Sequence, residues 1–278
     1  MLKRVKLFLR GGVVFFYSKL FVKKYFSDFN KFLFYLSLKG IGILNYKTKK
    51  DSGEQYFIKK LGSFYKNQKI IVFDIGANRG DYTSMILEEK LNADVYAFEP
   101  HPKTFLHLKA MAKGKPNVAL INKGCGDTNS KMTMYDLKNN NGSELATLHK
   151  DVIKSFYNSK CIETSVDTIK LDDFCVKNNI TKINLLKIDT EGNEFNVLKG
   201  SADLLKKEAI DIIHFEFNFM NIVSRVFFKD FYDLLDEYTF FRLLPDGMVN
   251  LGKYDPLYEI FSFQNIVAIK KSIAGSFN

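Results

Sequence analysis

Apolar positions in this chain fall into two rhythms. A short unbroken apolar run occurs at 70–73, and largely apolar runs at 183–188, where Lys187 interrupts, at 209–217 and at 93–98. Runs of this kind predict buried parallel strands. Between them, apolar residues at spacings of three and four predict helices over 82–90, 102–112, 171–177 and 228–237. A third strand is predicted at 117–122, an antiparallel excursion from 131, an edge strand at 163–166, and a late antiparallel pair at 239–244 and 261–270. Strand and helix alternate through the middle of the chain. That order predicts an α/β fold whose mostly parallel sheet carries helices on both faces.

The polar residues that matter stand where these strands end. The first run passes through Asp74 into Gly76, Ala77, Asn78 and Gly80, and then into a helix. Glycine turns sharply and lets a ligand approach the backbone closely. The next helix directs its free N–H groups back at the turn. Asp74 is expected at the lip of this binding edge. The second strand ends at Glu99 and Pro100, about 20 residues after the turn, an offset at which an acid accepts from two vicinal ribose hydroxyls. The third leads into Gly124-Cys125-Gly126-Asp127, where Asp127 or the nearby backbone meets a base edge, or an Asx turn merely closes a hairpin. The strand at 183–188 ends in Asp189, Glu191 and Glu194, and the strand at 209–217 carries His214 and Glu216 on one side. His214 reads as a hydrogen-bonded core residue. The asparagine-rich run 139–143 is expected to be part of a lid.

Charge divides the chain. Residues 1–50 hold 12 Lys and Arg against one acid, Asp28, whereas the remaining 228 residues carry a net charge of −1. The basic character therefore belongs to an appendage, and no nucleic-acid groove is expected across the core. The expected organisation is a basic, aromatic-rich helical segment over 1–55 and a catalytic domain over 56–278. No apolar run in the appendage reaches the ~20 residues that span a bilayer, and Lys19 breaks any signal-peptide core. A helical cap on the core, a self-association surface, or peripheral membrane contact through 1–40 would each suit it. Three cysteines without a CxxC pair fit reduced thiols in a cytoplasmic protein, with the inner membrane face as the site of any peripheral contact.

The turn from Gly76 to Gly80 is one residue short of the dinucleotide pattern and lacks its middle glycine. No Gly-Lys-Ser/Thr closes a P-loop. A ligand without a pyrophosphate fits better, and S-adenosylmethionine is such a ligand. Five stretches then carry a specific resemblance: VFDIGANRGDYT (72–83), VYAFEPHPKTFLHL (95–108), INKGCGD (121–127), SVDTIKLDDF (165–174) and LLKIDTEGNEFNVLKGSADLL (185–205). In this order they resemble the FkbM family of S-adenosylmethionine-dependent methyltransferases, over about residues 65–220. The resemblance implies a class I methyltransferase (Rossmann-like) fold, with a seven-stranded sheet and a late antiparallel strand. It also implies O-methylation, often of sugar hydroxyls in surface glycans or of secondary metabolites.

The cofactor would rest on Asp74, Gly76, Ala77, Asn78, Gly80, Glu99, Pro100 and Asp127. The acceptor is a saccharide or other hydroxyl-bearing molecule. A sugar hydroxyl is a weak acid and needs a base or a metal beside it. Asp189 or Glu191 is expected as base or metal ligand, with Glu216 orienting the acceptor. Oxygen ligands of this kind suit Mg²⁺ or Mn²⁺, but a required metal is not the favoured expectation, and no metal ligand is assigned. An NAD(P)-dependent oxidoreductase and an inactive membrane-associated binding module are the competing classes.

Overall fold

A computed structural model describes residues 2–137, 146–148 and 161–277, with 2–10 as backbone alone. The expected lid at 139–143 lies outside the described residues. The chain divides into two compact units, Met1–Leu44 and Asn45–Asn278. The first holds helices α1 (Leu2–Phe21) and α2 (Ser27–Gly40), joined by a single 3-10 turn. Among the described residues no helix is long and apolar enough to cross a membrane.

The second unit opens with α3 (Glu54–Phe64) and β1 (Ile70–Ile75). It continues through α4 (Asp81–Glu88), β2 (Ala93–Phe98), α5 (Pro102–Met111), β3 (Val118–Ile121) and β4 (Gly124–Cys125). Next come β5 (Ser130–Leu137), β6 (Cys161–Ile169), α6 (Leu171–Lys177), β7 (Ile183–Ile188), α7 (Glu194–Lys199), α8 (Ala202–Lys206) and β8 (Ile210–Phe217). The chain closes with α9 (Met220–Ser224), α10 (Phe228–Leu234), β9 (Tyr238–Leu244), β10 (Gly247–Asn250), β11 (Gln264–Lys270) and α11 (Lys271–Ala274).

The main sheet runs β10-β9-β11-β8-β7-β1-β2-β3. From β3 to β8 every pairing is parallel, and β11 enters antiparallel between β8 and β9. These seven strands, with one reversed, form the class I methyltransferase sheet. β10 adds an eighth strand by folding back on β9, between the two strands of the expected late pair. β6, the edge strand, pairs antiparallel with β5, the excursion, and parallel with β4 in a separate small sheet.

Alternating residues of the buried strands feed two apolar layers. Phe73, Leu186, Ile213 and Phe215 face α6, α7 and α10 through Phe174, Leu198 and Phe231. Val72, Leu185, Ile212 and Val267 face α3 and α4 through Phe57, Leu61, Met85 and Ile86. The second face changes character towards the carboxyl ends of its strands. Asp74 is the register partner of Lys187, and Lys187 of His214. Partners in adjacent strands point to the same face, and so do residues two further on. Lys187, Asp189, His214 and Glu216 therefore form one polar band at the top of an apolar face. β1 lies between β2 and β7, where the order of strands reverses, and α/β folds bind ligands at this point.

Candidate active site

The loop after β1 is shaped by left-handed backbone. Gly76 has φ +82°, Asn78 +50° and Gly80 +91°. A Cβ on Gly76 would stand 1.7 Å from the Asp189 carbonyl oxygen, and one on Gly80 would stand 2.1 Å from Met111 Cε. Gly76 is thus required by φ and by the close approach of backbone, and Gly80 by φ, since the side chains beside it can move. The amides of Gly76 and Ala77 both donate to the Phe98 carbonyl, at 3.0 and 2.9 Å, and the Asp189 amide donates to Ile75 O at 2.9 Å. Three strand ends are stitched together at the switch point.

Glu99 completes this cradle. Its Oε2 accepts from the Asn78 amide at 3.0 Å and its Oε1 from the His101 amide at 2.7 Å. Asn122 steadies the same corner by donating to the carbonyls of Glu99 and Pro100. Pro100 is half-buried beside Gly124. Burial pushes the Glu99 carboxyl up to about 7, against the pull of its two backbone amides; Asp74 and Asp189 add to the rise. Asn78 Oδ1 is buried with no hydrogen-bond partner, an acceptor that awaits a donor.

Asp74 lies deeper than expected. It is 1% exposed within β1, below the lip, and its Oδ2 accepts from the Thr83 hydroxyl of α4 at 2.6 Å. Burial raises its carboxyl to about 6. Asp74 therefore ties strand to helix underneath the turn. Asp127 is exposed just beyond β4, while the adjoining Cys125 carbonyl is held by Asn193 Nδ2 at 2.9 Å.

The acids around residue 190 separate into distinct roles. Glu194 folds back on its own loop, accepting from the amides of Thr190 and Gly192 and the Thr190 hydroxyl. Asp189 keeps 34% of its side chain exposed, whereas the neighbouring Lys187 keeps 2%. Lys187 Nζ lies 3.5 Å from Asp189, 3.9 Å from Glu54 and 4.0 Å from Glu216, with its charge 5.6 Å from the Tyr82 ring centre. Burial opposes this charge, but Asp189, Glu216, Glu54 and Asp74 outweigh it and hold the ammonium protonated. Burial and the Asp189 charge push Glu191 and Glu216 well above the usual carboxylate range. Glu191 has φ +54°, and its carbonyl accepts from Thr147 at 2.7 Å.

His214 is fully buried. Its Nε2 donates to Asn265 Oδ1 and its Nδ1 accepts from the Tyr82 hydroxyl, both at 3.0 Å. Burial and Lys187 hold its pKa well down, so it stays neutral.

The structure thus brings Gly76, Ala77, Asn78, Glu99 and Asp189 to one sheet edge, with Glu191 and Glu216 beside Asp189. Lys187, Glu54, Asn122 and Thr83 join them without having been singled out in the sequence. Lysine is almost never fully buried unless paired, so its place inside an apolar strand run was a usable signal. Glu54 sits on α3, remote in sequence, and carried none. Among the described residues no three His, Cys, Asp or Glu side chains are grouped to hold a metal ion. Among the described residues, Lys187 places a positive charge amid Asp189, Glu54 and Glu216.

The strand order defines a class I methyltransferase fold. The chain belongs to the Methyltransferase FkbM domain family, whose model matches residues 74–241. It is 26% identical over 156 residues to the hexuronic acid methyltransferase AglP of Haloferax volcanii, covering 55% of this chain and 59% of that one. It is 22% identical over 156 residues to the 2-O-methyltransferase NoeI of Sinorhizobium fredii, covering 54% and 64%. It is 30% identical over 159 residues to the 31-O-demethyl-FK506 methyltransferase FkbM of Streptomyces tacrolimicus, covering 48% and 60%. The chain thus spans about three fifths of the length of these curated relatives.

The cofactor of this methyltransferase class is S-adenosylmethionine, and the residues present fit it. Its ribose hydroxyls, ammonium and adenine amino group are donors; Glu99 and the unpartnered Asn78 Oδ1 are acceptors. A consequence concerns pH. Two ribose hydroxyls donating to Glu99 would favour its ionised form, and binding would then release a proton. Affinity for S-adenosylmethionine is expected to fall on the order of tenfold or more between pH 8 and pH 5.5. Stability of the free protein runs the other way. A carboxyl raised to about 7 stabilises the fold below its unfolded value, and this contribution disappears as pH rises through the folded value. Titration calorimetry and urea unfolding across that range check both signs; Glu99→Gln should flatten the binding profile.

Proposed function

We propose that this protein is an O-methyltransferase that transfers the methyl group of S-adenosylmethionine to a sugar hydroxyl in a surface glycan such as an O-antigen, a capsule or a related saccharide. The observation that carries the reading is the asymmetry of the acids at the sheet edge. Asp189 is half-exposed, paired with the Lys187 ammonium at 3.5 Å and stitched through its backbone to the glycine turn. Burial and the Asp189 charge raise Glu191 and Glu216 well above the usual carboxylate range, which favours their hydrogen-bond-donating forms. One base among several donors and acceptors suits a polyhydroxyl acceptor.

Bound S-adenosylmethionine supplies an electrophilic methyl on a sulfonium that is already a good leaving group. The protein's part is alignment and proton removal. Gly76, Asn78 and Glu99 fix the nucleoside end. Glu216 orients the acceptor by hydrogen bonding. Asp189 takes the hydroxyl proton as the oxygen attacks, and Lys187 keeps the Asp189 carboxylate in place. A relative whose name specifies a hexuronic acid supports a sugar acceptor, and one named a 2-O-methyltransferase supports transfer to oxygen; the FK506 relative supports a small secondary metabolite as the alternative.

The test is transfer from labelled S-adenosylmethionine to nucleotide sugars, lipid-linked oligosaccharides, whole-cell glycans and hydroxylated small molecules. An alkali-stable methyl ether on a saccharide is expected. Label confined to non-carbohydrate acceptors would replace this reading with the alternative.

A further inference from the structure

The N-terminal unit, taken by itself, leaves many large apolar side chains exposed to water. Its internal contacts are concentrated at the elbow between α1 and α2. Tyr17 stacks on Phe21 at 5.2 Å, Phe21 meets Phe26 at 5.1 Å, and Phe21 meets Phe29 at 5.7 Å. Asn30 latches the elbow, accepting from the Tyr17 hydroxyl and donating to the Phe21 carbonyl. Outside this cluster, Val13, Phe16 and Leu20 follow a three-and-four spacing along α1 and are 68%, 67% and 56% exposed. Phe32 and Leu36 are one helical turn apart on α2 and are 56% and 46% exposed. Monomeric soluble surfaces seldom leave such contiguous apolar stripes in water.

Charge selects the occupant. Residues 1–44 carry nine Lys and Arg against Asp28, a net charge of +8, so two copies of this unit would repel each other. At the elbow, Lys23, Lys24 and Lys31, with Ser27 and Asn30, line a groove of about 560 Å³ walled by Val22 and Phe34. Lys31 also pairs with Asp28 at 3.0 Å, but both side chains are largely exposed, so the pair is weak. Apolar stripes beside a lysine groove match the two layers of a lipid interface, acyl chains below and phosphates above.

We propose that the N-terminal unit is a peripheral membrane anchor that selects anionic phospholipid. The stripes on α1 and α2 enter the acyl boundary, and the lysine groove receives lipid phosphates. This holds whichever hydroxyl the catalytic domain methylates.

The test is flotation of the full chain with phosphatidylcholine vesicles, and with vesicles of phosphatidylcholine and phosphatidylglycerol in equal parts. Flotation is expected with the anionic vesicles alone and should weaken at high salt. Combined Lys23→Glu, Lys24→Glu and Lys31→Glu should reduce it more than about tenfold. Combined Val13→Ser, Phe16→Ser and Leu20→Ser should reduce it similarly, with S-adenosylmethionine affinity unchanged in both variants as evidence of an intact catalytic domain. Equal flotation with neutral vesicles, no flotation, or indifference to charge reversal would overturn the proposal. So would a dimer in vesicle-free solution that the serine variant disperses.

Discussion

Asp189→Asn is expected to lower kcat for methyl transfer by about 10²–10⁴-fold, the usual contribution of a positioned base. Affinity for S-adenosylmethionine should change little, because the cradle at Gly76 is built from the Asp189 backbone, which asparagine keeps. Asparagine also preserves size and one acceptor oxygen, so a lost charge is the main change. Glu191→Gln and Glu216→Gln should cost less: burial already holds these carboxyls well above the usual range, and glutamine retains a donor. Single-turnover transfer with labelled cofactor, beside calorimetric binding, separates the chemical step from binding. Undiminished turnover in Asp189→Asn would remove Asp189 as the base. A larger loss in Glu191→Gln would move that role to Glu191.

What could be read from the sequence was what local pattern encodes. The strand, glycine turn and helix at 70–88 are specified by consecutive residues, and Glu99 follows from its offset along the next strand. Asp74 was read one step too far out. β1 continues to Ile75, so Asp74 is still within the strand, on the face that α4 covers, and Thr83 captures it there. β10 escaped notice because four residues, Gly247–Asn250, in a polar loop carry too little periodicity to mark a strand. The Lys187 cluster was invisible for a different reason. It depends on the register of β7 against β8 and on the docking of α3, which brings Glu54 to a lysine distant in sequence. Run length and spacing reveal elements; they do not reveal which charges meet across a sheet.

That cluster makes a sharp demand on stability. Lys187→Met keeps length and removes an ammonium that lies within 4 Å of Asp189, Glu54 and Glu216. Breaking a buried pair from one side leaves uncompensated charge and costs roughly 3–5 kcal/mol. The loss should depend on pH with a definite sign. Burial already raises Glu54 and Glu216 above their unfolded values, and removal of Lys187 raises them further. Such groups stabilise the fold below their unfolded values and lose that contribution as pH rises through the folded ones. Urea unfolding of Lys187→Met should therefore show a large deficit at pH 8 that narrows towards pH 5. Adding Glu54→Gln should recover part of it at pH 8, because partners in one network are not additive. A deficit of equal size at both pH values would mean that lysine fills space on this face. In that case the charge on Asp189 would need another source of support, and the pairing invoked for catalysis would fail with it.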